Sequence, residues 1–406
     1  MKLIASTFAI ACMCALAGQA SAQTFTAAGG RLTGYEPHAG VAPNFAQAKA
    51  RPLPMARTAP PSLREAILKP VNTRMVFGSP GSTAGADGSG ELSPVRLFTP
   101  HSTNDQSPQS GTDIVPYEYG TSNQVFTSSR VNAKGDYTAK YYPYRAAGKL
   151  FFNENGGSYV CSASLIQKGI VVTAAHCVAK YGAKQFYSGW RFVPAYQNGQ
   201  APYGTWTAAR IWVKTAYLNG TDNCYQTGVV CPDDVAIIVL KPNSSNKYAG
   251  DYTGYFGVGW NGFGFNGSNL ALINQLGYPV ALDSGSLMER NDSQGFVSST
   301  MSNNTIIGSL LTGGSSGGPW LVNLGMAPAF GCDSGGCTRA GSEGRHNTVV
   351  GVTSWGYNPT NGYYVNMQQG ASPFTANNIC SLINSACFDA TKGNPAACNI
   401  KAKLNC

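Results

Sequence analysis

The sequence runs to 406 residues, long enough for a substantial core, yet only 12% of them are charged, while 49 are glycine and 21 tyrosine. That balance suits an exported β-rich chain better than a cytosolic helical one. The formal net charge of +9 is spread over single Lys and Arg residues with no basic run, so it reads as a solubility property and argues against nucleic-acid binding.

The chain opens with Met1-Lys2, an apolar stretch from Leu3 to Ala17 and the small residues Ala20-Ser21-Ala22. This is the pattern of a secretory signal peptide over residues 1–22, cleaved after Ala22, and it predicts an extracellular protein. Neither this run nor any later one is long enough to span a bilayer, so membrane insertion is not expected. Cys12 and Cys14 leave with the signal, and ten of the 12 cysteines remain. An even number in an exported chain implies up to five disulfides. They stand as Cys161 and Cys177, Cys224 and Cys231, Cys332 and Cys337, and a final group of Cys380, Cys387, Cys398 and Cys406. The short-range pairs lack accompanying histidines, so neither a metal site nor another cofactor is expected.

From Gln23 to about Asn132, within a leader taken as 23–134, Pro, Ala, Ser and Gly dominate and no period of 2 or 3.6 persists. Such a stretch buries too little apolar surface to offset its ordering entropy and is expected to be a disordered pro-segment or linker, with one isolated helix around Pro61–Leu68. Beyond Tyr141 the texture changes to short apolar runs between Gly, Asn and Pro. Gly169–Ala174, Val235–Leu240, Leu270–Leu276, Thr305–Leu311 and Thr348–Ser354 predict strands of an all-β antiparallel barrel or sandwich. A helix is predicted from Thr375 to about Ala386, with Ile379, Leu382 and Ile383 on one face. Residues 135–388 form the expected domain, and 389–406 a disulfide-bearing tail. Without a heptad or a large exposed apolar helix, a monomer is the default.

The stretch Thr312-Gly-Gly-Ser-Ser-Gly-Gly-Pro-Trp320 holds Ser316 between glycine pairs, which leave its hydroxyl approachable and let neighbouring N–H groups turn toward a carbonyl oxygen. A flexible Gly-Ser loop is the competing reading, and a base and an acid elsewhere decide between them. Of four histidines, His38 and His101 lie in the leader and His346 sits among loop residues. His176 follows a strand that ends in small residues and precedes Cys177, whose disulfide would fix its turn. Asp234 directly precedes the apolar strand Val235–Leu240, where a carboxylate needs a hydrogen-bonding partner; an imidazole N–H supplies one. Asp233, one residue further out, is expected to face solvent.

His176 in Thr-Ala-Ala-His-Cys, Asp234 in Asp-Val-Ala-Ile-Ile and Ser316 in Gly-Ser-Ser-Gly-Gly-Pro resemble, in order and context, the chymotrypsin-like serine proteases. Ser354-Trp355-Gly356 resembles the substrate-pairing strand of that family, and Gly362-Tyr-Tyr-Val365 the strand behind its specificity pocket. Within the family, Tyr142–Leu150 and Gly277-Tyr-Pro279 are similar to the bacterial branch that includes the V8-like glutamyl endopeptidases. The resemblance covers about Tyr141 to Phe388.

It implies two six-stranded antiparallel β-barrels with His176 and Asp234 from the first, Ser316 from the second, and an oxyanion hole formed by the N–H groups of Gly314 and Ser316. It also implies protein or peptide substrates and a Cys161–Cys177 bridge. Cys224 with Cys231 would brace the approach to Asp234. Spacing leaves the last four cysteines open; nearest neighbours, Cys380 with Cys387 and Cys398 with Cys406, are the working expectation. Leu310, Thr312, Thr353, Ser354, Trp355, Gly356 and Gly362 are the expected substrate-binding positions, around a pocket that looks open and neutral and suits an apolar residue. Leu310 stands where an acid would select Lys or Arg, and Thr353 where glutamyl-specific relatives place a histidine. Ser315 stands where many members carry an aspartate that pairs with the new N-terminus after activation. Leader removal is still expected, with Arg130-Val131 and Lys134-Gly135 as candidate cuts. A non-catalytic binding protein on the same fold and a secreted esterase with the same three groups are the alternative functions.

Overall fold

A computed structural model of the chain describes residues 22–37, 40–56, 78–99, 126–132, 136–267, 269–298, 300–325, 345–356 and 368–406, and the backbone of 332–333 and 336–337. The signal peptide, His38, His101, the helix expected near Pro61–Leu68, the Lys134-Gly135 cut and Gly362 lie outside the described residues.

Two rings of strands organise these residues. Ala147–Glu154, Gly157–Gln167, Ile170–Thr173, Ala236–Leu240, Trp206–Lys214 and Ser188–Pro194 pair in that order and close on themselves into a six-stranded antiparallel barrel. Leu270–Gly277, Glu289–Ser298, Asn304–Gly308, Gln368–Pro373, Thr348–Gly356 and Pro319–Val322 close the second. Closure removes the unpaired edges that make open sheets hazardous. The five apolar runs singled out in the sequence all become strands of these barrels. Ile170–Thr173 and Ala236–Leu240 are buried throughout, because each is flanked by strands on both sides and covered by core and helix. A continuous apolar run with no alternation is what such a position requires.

The expected disorder of the leader is corrected in its described parts. Gln23–Ala27 and Leu32–Glu36 form a hairpin that adds to Trp206–Lys214, with Tyr35 opposite Ile211 and Gly34 opposite Trp212. Leu32 is fully buried there, and Phe25 meets the Trp212 ring edge-on at 5.0 Å. Further on, Lys49–Ala50 runs parallel to Tyr159–Val160, Gly81–Ser82 pairs with Gly259–Trp260, and Phe126–Arg130 pairs with Glu289–Ser293. These segments lack a core of their own. Their order comes from edges and grooves that the barrels supply, which a periodicity test on the leader alone does not see.

The helical end also differs in detail. A wide turn over Ala376–Cys380, capped by Thr375, continues into an α-helix at Ser381–Phe388. Its cysteines bridge Cys380 to Cys406 and Cys387 to Cys398, not to each other. Nearest-neighbour pairing fails for a geometric reason. Seven helical residues advance about 10 Å, whereas bridged Cα atoms sit about 4.4–6.8 Å apart. The tail thus stapled to the helix lies on the first barrel: Gly169 N–H donates to Ala397 O at 2.7 Å and Asn399 N–H to Gln167 Oε1 at 2.8 Å. Among the described residues no helix is long and apolar enough to cross a membrane.

Candidate active site

His176 sits on a single helical turn, Ala175–Cys177, immediately after the buried strand Ile170–Thr173. A disulfide from Cys177 to Cys161 ties this turn to the neighbouring strand. Asp234 precedes Ala236–Leu240, which pairs with Ile170–Thr173, so the two residues meet at the end of adjacent strands. His176 Nδ1 lies 2.8 Å from Asp234 Oδ2, and the His176 backbone N–H donates to Asp234 Oδ1 at 2.8 Å. The Ser354 hydroxyl adds a third bond, to Oδ2 at 2.7 Å. Burial pushes the Asp234 carboxyl up, but the imidazole and these donors outweigh it and hold its pKa below the ordinary value. The carboxylate stays ionised and orients the ring.

The second barrel braces this corner. Cys224 is bridged to Cys231, and the Cys231 carbonyl accepts from Ser372 Oγ at 2.7 Å and Asn304 Nδ2 at 3.3 Å. Asp233 is not the solvent-facing residue expected. It is half-buried, its carboxyl is pushed up by that burial, and its backbone N–H donates to Asp222 Oδ2 at 3.0 Å.

Ser316 lies on the turn that leads into Pro319–Val322 of the second barrel and faces the first, and its glycines have distinct reasons to be there. Gly317 adopts φ +76°, and a Cβ on it would stand 1.9 Å from Thr173 Oγ1, on the strand that leads to His176. Gly314 adopts φ +92°, where a Cβ would stand 2.5 Å from Tyr278 O. Ser316 O accepts from Ser162 N–H at 2.7 Å, and Gly314 O from Ser162 Oγ at 2.9 Å. The Gly314 N–H, the expected oxyanion donor, donates to Arg51 O at 2.9 Å. Ser316 and His176 are 0% and 5% exposed, and Ser316 Oγ and His176 Nε2 are both buried without a hydrogen-bond partner. They are two of several buried side-chain atoms left unsatisfied among the described residues, and a hydroxyl and an imidazole nitrogen that are to exchange a proton commonly tighten only around substrate.

Ser315 is fully buried and its hydroxyl donates to Thr312 O at 2.6 Å. Beneath it lies a neutral network that sequence reasoning missed. Gln369 Nε2 donates to Leu311 O and, at 3.4 Å, to Ser315 Oγ; its Oε1 accepts from Gln275 Nε2. Gln275 also donates to Thr353 Oγ1 at 2.8 Å and accepts from Ser309 Oγ at 2.8 Å. Where an aspartate would need a cation, amides and hydroxyls hold the loop. Glutamines inside a strand carry no sequence signal for this.

The expected substrate-binding residues divide. Thr353 is fully buried and receives the Trp320 indole N–H at 2.9 Å, so its side chain supports the network and does not face the cleft. The Ser354 hydroxyl is taken by Asp234. Trp355 is buried and donates its indole N–H to Asn304 Oδ1 at 2.8 Å. None of these three side chains is turned to a ligand, and the Thr353 backbone is itself bonded to Gly317 and Gly318. Thr312 uses its hydroxyl to accept from Ala281 N–H at 3.1 Å, Leu310 is half-buried, and Gly356 lies against Gln369. The Leu53 side chain lies equally near Gly356. His346 is exposed.

Two antiparallel barrels meeting at this corner define the fold of the chymotrypsin-like serine proteases. Residues 134–378 match the Trypsin family, and the chain belongs to it. Solved structures with a similar fold include three proteases. The thermostable serine protease AL20 from an extremophilic microorganism is 24% identical over 57% of this chain and 93% of its own, at a TM-score of 0.43. The protease Anisep from Arthrobacter nicotinovorans is 25% identical over 62% and 95%, at 0.44. A Glu endopeptidase is 19% identical over 64% and 95%, at 0.43. No curated protein matches the chain.

Proposed function

We propose that this protein is a secreted serine endopeptidase that cleaves peptide bonds through Ser316, His176 and Asp234. The observation that carries this reading is the doubly bonded Asp234–His176 pair, at 2.8 Å from both the ring and the backbone nitrogen, with Ser316 on a glycine-framed turn against the same strand. Asp234 holds the tautomer in which Nδ1 carries the proton and Nε2 is free to accept one.

Ser316 Oγ attacks the scissile carbonyl carbon while Nε2 takes the hydroxyl proton. The negative oxygen is received by the N–H groups of Gly314 and Ser316; loss of one such donor costs roughly 10²- to 10³-fold in turnover. The imidazolium gives its proton to the departing amine as the C–N bond breaks. Water, deprotonated by the same imidazole, then releases the acyl group. The backbone of Ser354–Gly356 receives the residues that precede the cleaved bond as an added strand. A medium or large apolar residue at that bond suits the neutral surroundings of Leu310 and Thr312.

Cleavage of the leader belongs to the same reading, although the Arg130-Val131 candidate is tied down. Phe126–Arg130 is a sheet strand, and the Arg130 guanidinium is bonded to Asp283. A cut there requires that strand to peel away first. The decisive test is casein hydrolysis by the secreted protein, together with labelling of Ser316 by a serine-directed phosphonate. Both are expected to vanish in Ser316→Ala; casein hydrolysis that survives in that variant overturns the reading.

A further inference from the structure

The leader does more than decorate the barrels. Residues 41–56 enter along the first barrel, where Asn153 Nδ2 donates to Val41 O at 2.9 Å and Asn44 N–H donates to Ser158 Oγ at 2.8 Å. Lys49 and Ala50 then align in parallel with Tyr159 and Val160, next to Cys161, and Arg51 N–H donates to Val160 O at 2.9 Å. Arg51 O accepts the Gly314 N–H at 2.9 Å, the donor assigned to the oxyanion. Three residues later Pro54 O accepts the Gly356 N–H at 3.0 Å, and Leu53 lies against Gly356. Ala56 is 3% exposed and belongs to an apolar cluster with Val230, Phe296, Met301, Ile306 and Trp355.

Side chains fix this path. Arg51 is ion-paired with Glu154, its guanidinium donates to the Tyr187 hydroxyl at 2.8 Å, and it lies over the Tyr187 ring at 5.0 Å. The segment thus crosses from the first barrel to the second over the catalytic turn, and it uses both the oxyanion donor and the substrate-pairing strand.

We propose that Lys49–Ala56 is a built-in inhibitor that fills the substrate groove in the reverse direction. The proposal rests on the endopeptidase reading above. In a substrate, residues preceding the scissile carbonyl lie along Ser354–Gly356 and those following it leave toward Val160. Here Arg51 offers its carbonyl to Gly314, but the residues preceding it lie at Tyr159–Val160 and those following it at Gly356. Acyl and leaving halves are exchanged. The bond after Arg51 also ends on the Pro52 nitrogen, which carries no N–H. The groove is therefore occupied by a peptide bond presented backwards, and Arg51–Pro52 stays intact while Ser316 and His176 are covered.

The test uses the full chain and two variants, Ala56→Asp, which places a charge in the apolar cluster, and the milder Leu53→Glu at a half-buried position. Circular dichroism establishes that each remains folded. Hydrogen exchange at Gly314 and Gly356 reads occupancy directly. Phosphonate labelling of Ser316 reads access, and its rate scales with the fraction of molecules whose groove is open. Slow exchange of both amides in the unaltered chain, faster exchange in the variants and labelling accelerated about tenfold or more support the proposal.

Equal exchange in all three chains overturns it, as does labelling of the unaltered chain as fast as that of the variants. Amides that are protected by the segment and freed in the variants, with no labelling in any chain, place the occupant correctly but overturn inhibition together with the endopeptidase reading. Recovery of a fragment ending at Arg51 from the unaltered, folded chain overturns the reversed direction.

Discussion

The barrels and the leader are ordered by different means. A barrel strand such as Ala236–Leu240 is buried on every face and paired on both sides. Its stability derives from roughly 1.5–3 kcal/mol for each large apolar side chain withdrawn from water. The leader contributes short strands, of which Lys49–Ala50 and Gly81–Ser82 are two residues each, that pair with one another or with stretches of barrel strand left unpaired by their neighbours. A region that makes its own core folds and stays folded; one that borrows its partners can be displaced. On the readings proposed above, the chemistry lies in the first kind and its control in the second.

The largest effect expected from breaking this contrast is on turnover. Ser316→Ala in the barrel region is expected to lower peptide hydrolysis by about 10⁴-fold or more, and Asp234→Asn by about 10⁴ in kcat through the wrong imidazole tautomer. Steady-state kinetics on a peptide substrate measure both, and a ten-fold loss in either case would deny these residues their roles. Next in size is a core truncation in each region. Ile237→Ala, fully buried in the first barrel, is expected to cost about 2–5 kcal/mol in global unfolding by denaturant. Leu32→Ala, equally buried in the leader hairpin, is expected to speed amide exchange in Gln23–Glu36 while leaving the main unfolding transition nearly unmoved. Equal destabilisation by the two substitutions would show that leader and barrels unfold as one unit.

Opening the Cys161–Cys177 bridge by paired Ser substitutions is expected to cost on the order of 3 kcal/mol. The matching loss of Cys387–Cys398 should fall mainly on the tail, and thermal unfolding followed by exchange separates the two. The smallest effect concerns pH. Burial, reinforced by the neighbouring Asp233 charge, raises the Asp222 carboxyl from 3.8 to about 7. A raised folded pKa means that its contribution to stability is complete below about pH 4 and is lost as pH rises through about 7. Asp222→Asn is expected to remove that part of the slope in thermal midpoint between these limits. An unchanged slope would locate the pH dependence elsewhere.

Much of this was legible in the sequence because it follows from local context. The strand before His176, the apolar run after Asp234 and the glycines around Ser316 each carry a physical requirement that few other residues meet. The five predicted strands lie where their uninterrupted apolar runs placed them. What was illegible depends on distant partners. Gln-Thr-Phe-Thr-Ala at 23–27 becomes a strand only because Leu32–Glu36 pairs with it and docks on Trp206–Lys214. Gln275 and Gln369 are ordinary strand residues until they meet under Ser315. The pairing of Cys380 and Cys387 is a different matter, since the predicted helix already separated them too far to bond.

The stapled tail bears on how the cleft can move. The chain leaves the second barrel at Gln368–Pro373, runs through Ser381–Phe388 and ends against the first barrel, with Cys387 bridged to Cys398 and Cys380 to Cys406. Asn378 Nδ2 donates to both Pro373 O, at 2.8 Å, and Pro232 O, at 3.1 Å, so the same short stretch spans the joint. Mechanically this is a strap laid over the joint: its two disulfides stiffen the strap itself, and hydrogen bonds fasten it to both barrels. A strap of this kind resists a swing of one barrel against the other, so on the proposed inhibitor reading the step that admits a substrate is the clearing of the groove.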